Sequence, residues 1–438
     1  LFIASLPALL AFAGGHNNQF FNNRSVGGIS ISPEGVLGLP TVADIKGLRD
    51  SVLKGSSKVS NELNEPVELR KVSLRALEAA LQEARASGKD TLPDEIRYLA
   101  GIQRIQYVFV LPEENDIVLA GPGEGWKVAD NGYVVGVTTG LPVIRLDDLL
   151  VAFRTVENAR QGGLTCSIDP TESGLQRFAE VERAAGGKMQ PGVIAALEKA
   201  MGPQTISVTG VPASSHFARI LVASDYRMKR YAMELDKSPI KGLPSFLSML
   251  KGKKLNNMLP RWWLACNYEP LARSEDGLAW ELRGPGVKVM TEDDFVQGGK
   301  VKRAGKANPV AQEWADTLTA KYGQLSVADP VFGELRNVMD LCVITALIHR
   351  EDLLNRLNLE LPNITSETDG IKLQAFHAPK EVDSKCSVTK SGRDFIITAS
   401  GGVEINSWSV IEKVEESAEV GKLREKAAGK QGKALWWN

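Results

Sequence analysis

Ser214-Ser215-His216 is the first place in this chain where residue types and spacing suggest chemistry. It follows an apolar strand-like run and opens a helix-like one, and a serine nucleophile needs an adjacent base. A hydrolase acting on a peptide, ester or glycan would place Ser214 or Ser215 beside His216 and a carboxylate. The plain alternative is a serine N-cap, because neighbours in sequence rarely hydrogen-bond as a triad requires and the G-x-S-x-G elbow is absent. Asp169 and Glu172 flank a second strand-to-helix turn beside Cys166. They are the other catalytic candidates, and helix capping explains them equally well. Asp147-Asp148, Glu113-Glu114 and Asp293-Asp294 are adjacent pairs that do not face each other on a helix. Asp147-Asp148 suit a helix N-terminus, and Thr291 with Asp294 resembles a capping box.

A different chemistry is written into residues 225–263, where nine basic residues stand against three acidic ones in a chain of net charge −1. Arg227, Lys229, Arg230, Lys251, Lys253 and Lys254 would attract an anion, and Trp262 and Trp263 would stack or anchor. An apolar stretch, Phe246 to Leu250, is interleaved. Such a segment suits an anionic envelope polymer, an anionic lipid surface or an acidic protein. The bland reading is a solvated helix face followed by a loop. The near-neutral total argues against dedicated nucleic-acid binding.

Other features point away from cofactors and metals. Residues 120–126, AGPGEGW, run from strand to strand rather than from strand to helix. Pro122 removes a donor and Glu124 repels phosphate, so a turn is expected rather than a nucleotide cradle. The four cysteines, Cys166, Cys266, Cys342 and Cys386, form no CxxC pair, and the four histidines are scattered. Neither a cofactor nor a metal is expected. Export would permit disulfides, and the three pairings of four cysteines stay open. Cys342 reads as a free thiol on a buried helix face.

The elements that must position these residues are mixed. Hairpins are expected over 26–38, 105–120 and 386–399, and strands at 133–138, 164–168, 205–211, 262–267, 278–283 and 287–291. Helices are expected over 66–87, 93–99, from 146, over 171–185, 191–201, 214–235, 309–322, 330–353 and 409–428. The alternation over 146–235 suggests βαβ-like crossover units. The fold class is therefore α+β, with α/β crossovers as an option in the middle and two or three packed subdomains. Residues 14–145 would hold a helix and an antiparallel β region, 146–380 a central α/β region, and 381–438 a hairpin and a charged helix.

The chain opens LFIASLPALLAFAGG, uncharged over fifteen residues. The run to Ala13 is too short to span a bilayer and carries an Ala-x-Ala cleavage pattern, so residues 1–13 read as a signal-peptide remnant. Residues 14–25, rich in Gly and Asn, read as a flexible mature N-terminus.

The phrases GGISISPEGVL (27–37), AGPGEGW (120–126), CSIDPT (166–171), ASDYRMKRYAM (223–233) and LWWN (435–438) together resemble a family of exported planctomycete proteins, a domain of unknown function. The resemblance implies an envelope or extracellular home and supplies no activity or site residue. The expectation is an exported binding or structural protein without catalysis, with the hydrolase as one alternative. A surface subunit that self-assembles into homo-oligomers through sheet edges is another.

Overall fold

A computed structural model describes the chain from residue 25 to 438, except residues 27, 55, 57–60, 89–91, 187–191, 254–258, 298–299, 304, 369, 392 and 429–433. The signal-like opening, nearly all of the Asn-rich segment and Lys254 lie outside the described residues.

The fold is α+β. Its main frame is a ten-stranded mixed sheet whose order is Ser25–Val26, Ile29–Ile31, Val36–Gly38, Glu381–Asp383, Pro203–Thr209, Leu164–Asp169, Ser400–Ile405, Leu259–Asn267, Gly286–Gln297 and Lys300–Arg303. Strands from the beginning, middle and end of the chain thus share one sheet. The strand Leu259–Asn267 runs antiparallel to Gly286–Gln297 and parallel to Ser400–Ile405. Strand side chains alternate between faces. Trp262 and Leu264 are fully buried on the inner face, while Trp263, Ala265 and Asn267 turn outward and are only partly covered. Gly401 is needed beside this strand, because a Cβ there would overlap the Trp262 carbonyl, and Gly402 is needed on the other side, where a Cβ would overlap the Cys166 carbonyl.

The inner face is covered by helices. His216–Ala232 lies across Leu164–Asp169 and Ser400–Ile405. Pro330–Arg350 is buried along nearly its whole length, and Pro309–Ala320 packs on Gly286–Gln297. The apolar run 338–348 is therefore a central core helix, wrapped on all sides. Among the described residues, no helix is long and apolar enough to cross a membrane.

A seven-stranded sheet forms the second layer, centred on Tyr107–Leu111 and Asp116–Gly123. Val108 and Val110 face the main core, whereas Phe109 and Leu111 face a smaller cluster with Val420 and Ala427 of the helix Ala418–Ala428. Burial on both faces explains the continuous apolar run YVFVL of Tyr107–Leu111, which lacks polar alternation.

Several expected elements differ. The helix expected over 66–87 begins only at Leu74; Val67–Ser73 is a strand, and Ser73 caps the helix by accepting from Ala76 N–H. The strand buries Arg70, whose guanidinium donates to the carbonyls of Leu63, Ala100 and Glu65. Residues 166–209 do not form a parallel crossover: Leu164–Asp169 and Pro203–Thr209 pair antiparallel. Two helices, Glu172–Ala185 and Val193–Met201, separate them. A single helix returns the chain to the start of the first strand, and a second carries it back to that strand's end. Thr291 and Asp294 belong to the strand Gly286–Gln297 rather than to a helix N-terminus. The charged helix expected over 409–428 is broken by the strand Val414–Glu416, which pairs with Leu271–Arg273. All four cysteines are free thiols, with Cys342 buried on the central helix.

The two adjacent tryptophans give a direct test of register. Trp262 packs edge-on against Phe246 and Trp314, with ring centroids 4.9 and 5.1 Å away. Trp262→Ala should cost ~3–5 kcal/mol through the cavity it leaves. Trp263→Ala should cost less than about 1 kcal/mol. Urea titrations of the two variants check the difference, and equal losses would mean the strand is out of register.

Candidate functional site

Ser215, His216 and a carboxylate are indeed neighbours in space, but not as a catalytic relay. Ser215 is the N-cap of His216–Ala232: its hydroxyl accepts from Ala218 N–H at 3.1 Å and donates to the Pro212 carbonyl at 2.7 Å. Its proton is committed to a carbonyl, not to an imidazole. Ser214 contributes its carbonyl oxygen, which accepts from Phe376 N–H at 2.8 Å. His216 is buried, and its Nδ1 lies 3.0 Å from both carboxylate oxygens of Asp148. The helix Leu146–Arg154 supplies Asp148, and its partner comes from a helix 68 positions later.

This pair belongs to a buried polar network. Glu334, on the central helix, has its carboxyl pushed up to about 7, chiefly by burial; His216 and Arg145 oppose the rise, and Asp148 and Asp329 reinforce it. Arg227 donates to Asp329 and to Asp236 at 3.0 Å each. Tyr231 hydroxyl donates to Asp329 at 2.7 Å and accepts from Arg227 at the same distance. The arrangement joins three helices by paired charges in a water-poor interior, where an unpaired member would be costly.

Asp169 and Glu172 are both exposed. The turn between them is held by Thr171, whose hydroxyl accepts from Gly174 N–H at 3.1 Å. The structure does not bring either carboxylate to His216 or to a serine hydroxyl.

The basic segment divides into an inward and an outward part. Lys229 is buried, and its ammonium donates to Asp225 at 2.8 Å and to the carbonyls of Ile168 and Gly401 at 3.3 and 3.4 Å. Asp225 is raised to about 6, by burial first, with Lys229 pulling the other way. Arg230 grips Asp236 with two bonds of 2.7 and 2.9 Å. Arg227, Lys229 and Arg230 thus face acidic partners within the fold, and Trp262 is core. Phe246, Leu247 and Leu250 are buried as well. The outward part consists of Lys237, Lys241, Lys251 and Lys253, all exposed, with Lys253 3.4 Å from Glu313. Arg261, partly exposed, follows them; its guanidinium lies 5.2 Å from the ring centre of the partly exposed Trp263.

Trp263 also lines an open groove of about 410 Å³ on the outer face of the ten-stranded sheet, with Asn267, Lys288, Glu404, Asn406 and Lys413. Strand register explains the set. Lys288 and Glu404 flank the small Ala265 from its two neighbouring strands, and Met290 stands opposite Trp263. One end is anchored by Tyr268, whose hydroxyl donates to Asp340 of the central helix at 2.7 Å. Arg104 donates to the same carboxylate at 3.0 Å. The Gly-rich 120–126 segment has a structural role: Gly121 and Gly123 lie within the strand, and the Glu124 carboxylate accepts from Gln103, Thr138 and Thr139. Among the described residues, no cluster of three or more His, Cys, Asp or Glu is placed to hold a metal ion.

Sequence reasoning singled out Trp263 but not Lys288, Glu404 or Asn406, which reach the groove from distant strands. It also treated Asp148 as a dipole partner rather than the mate of His216. The period-two pattern over 262–267 is the signal that separates Trp263 from Trp262.

Residues 166–246 match a family described as a protein of unknown function, DUF1598. That span holds CSIDPT, ASDYRMKRYAM and the Lys229–Asp225 pair, and it is a domain of unknown function. No curated protein and no solved structure matches the chain.

The Glu334 carboxyl sets a pH dependence. Raised from 4.5 to about 7, it binds more protons in the folded than in the unfolded chain between those values. Stability is therefore full below about pH 4.5 for this group and falls as pH rises to 7, by on the order of 3 kcal/mol. Glu334→Gln should flatten the decline between pH 5 and pH 8 in urea titrations. An unchanged slope would place Glu334 outside the titrating set.

Proposed function

We propose that this chain is an exported protein of the planctomycete envelope that binds an anionic polymer without catalysis. Contact is made through the outward part of its basic, aromatic segment. The observation that carries this reading is the Arg261 guanidinium stacked 5.2 Å from the partly exposed Trp263, at the end of a stretch bearing the exposed Lys251 and Lys253. A cation held on an aromatic face offers charge and flat apolar surface together. The buried Lys229 and the inward-paired Arg227 and Arg230 support it indirectly: they brace the helix that leads into the exposed stretch. The apolar, uncharged opening to Ala13 supports export. A hydrolase at His216 gains no support, since the Ser215 hydroxyl is engaged in capping.

Binding of this kind is screened by salt. The chain should be retained on an immobilised polyanion at low ionic strength and released as salt rises. A Lys251→Glu/Lys253→Glu/Arg261→Glu variant should elute much earlier in a sodium chloride gradient with its thermal stability unchanged. Retention that neither salt nor the triple reversal alters would sink the proposal.

A further inference from the structure

We infer that the groove beside Trp263 is a saccharide subsite, and that the polymer it takes is a carboxylated polysaccharide. This rests on the proposed anionic-polymer reading and names the chemistry of its ligand. A pyranose ring has an apolar face of positively polarised C–H groups, which suits the negative face of an indole. Trp263, with Arg261 over its ring at 5.2 Å, lines the wall of a groove of about 410 Å³, within the range of ligand sites. Of the other tryptophans, Trp262, Trp280 and Trp314 are fully buried.

The polar lining fits hydroxyls and a sparse negative charge. Asn267 and Asn406 carry both donors and acceptors, the combination that vicinal sugar hydroxyls engage. Asn406 Oδ1 accepts from Ser409 N–H at 3.3 Å, so its amide nitrogen supplies the donors. Lys288 and Lys413 provide the cations for a carboxylate. Glu269 and Glu404 line the same groove and balance the two lysines, and Glu404 shares the Ala265 row with Lys288. A carboxylate there accepts from hydroxyls and repels a densely charged chain. The lining therefore disfavours a polyphosphate or a nucleic acid and favours a sugar polymer with one carboxylate per residue or fewer. Ala265 keeps the floor low between the two charged side chains.

The test uses the full chain with three probes: an oligogalacturonate as carboxylated glycan, poly-L-glutamate as carboxylated polymer without sugar, and maltohexaose as neutral glycan. Calorimetric titration should show oligogalacturonate bound best. Trp263→Ala should weaken it by about tenfold or more, with Trp263→Phe restoring part of the loss and melting temperature unchanged in both. Lys288→Met should weaken oligogalacturonate but not maltohexaose. Equal binding of oligogalacturonate and poly-L-glutamate, or indifference to both Trp263 variants, would overturn the saccharide subsite and leave the anionic-polymer reading in place. Failure to bind either polyanion would overturn both.

Discussion

The register of one strand decides what this molecule shows to its surroundings. Leu259–Asn267 sits between an antiparallel neighbour and a parallel one, and its alternation sends Trp262 into the core and Trp263 out. A slip by one residue would exchange every side chain between faces. Three features hold the register. Trp262 is wedged between Phe246 and Trp314. Gly401 admits the strand at close range, against the Trp262 carbonyl. Tyr268, just past its end, is tied to Asp340 of the central helix. The groove is the outer consequence of this inner packing.

Charge performs a second structural task. Lys229 links a helix to two strands at once, through Asp225 beside it and the carbonyls of Ile168 and Gly401. His216 with Asp148, and Arg227 with Asp329, join helices far apart in sequence. Buried pairs of this kind add little net stability but make a mispaired arrangement expensive. They account for much of the positive charge in residues 225–230, a region where composition alone suggests a solvent-facing patch. The exposed cations begin only where the helix has ended.

Much of the architecture was legible in the sequence. The hairpin around Pro112–Glu114, the helices from Leu146 and His216, and the central helix from Pro330 all stand where the sequence pattern places them, and Ser215 caps the second of these helices as expected. The strand Val67–Ser73 was not, because VELRKVS satisfies a helical pattern as well as an alternating one, and only the interior carbonyls that receive Arg70 make the strand the better choice. The antiparallel return at Pro203–Thr209 was hidden because strand direction follows from the number of intervening helices, not from the strands. At the candidate site, Asp329 lies 102 positions from Arg227, so no count of local charge could foresee their pairing. The alternation that separates Trp262 from Trp263 was present in the sequence but is only a few residues long.

Trp263 turns outward, and the proposed polymer would cover it. Oxidative footprinting of the folded chain, with and without an anionic polysaccharide, measures this at the residue concerned. The structure predicts faster labelling of Trp263 than of the buried Trp262, and the proposed binding predicts suppression of the Trp263 signal when the polysaccharide is present. Similar labelling of both tryptophans, or a Trp263 signal untouched by the polysaccharide, would contradict it.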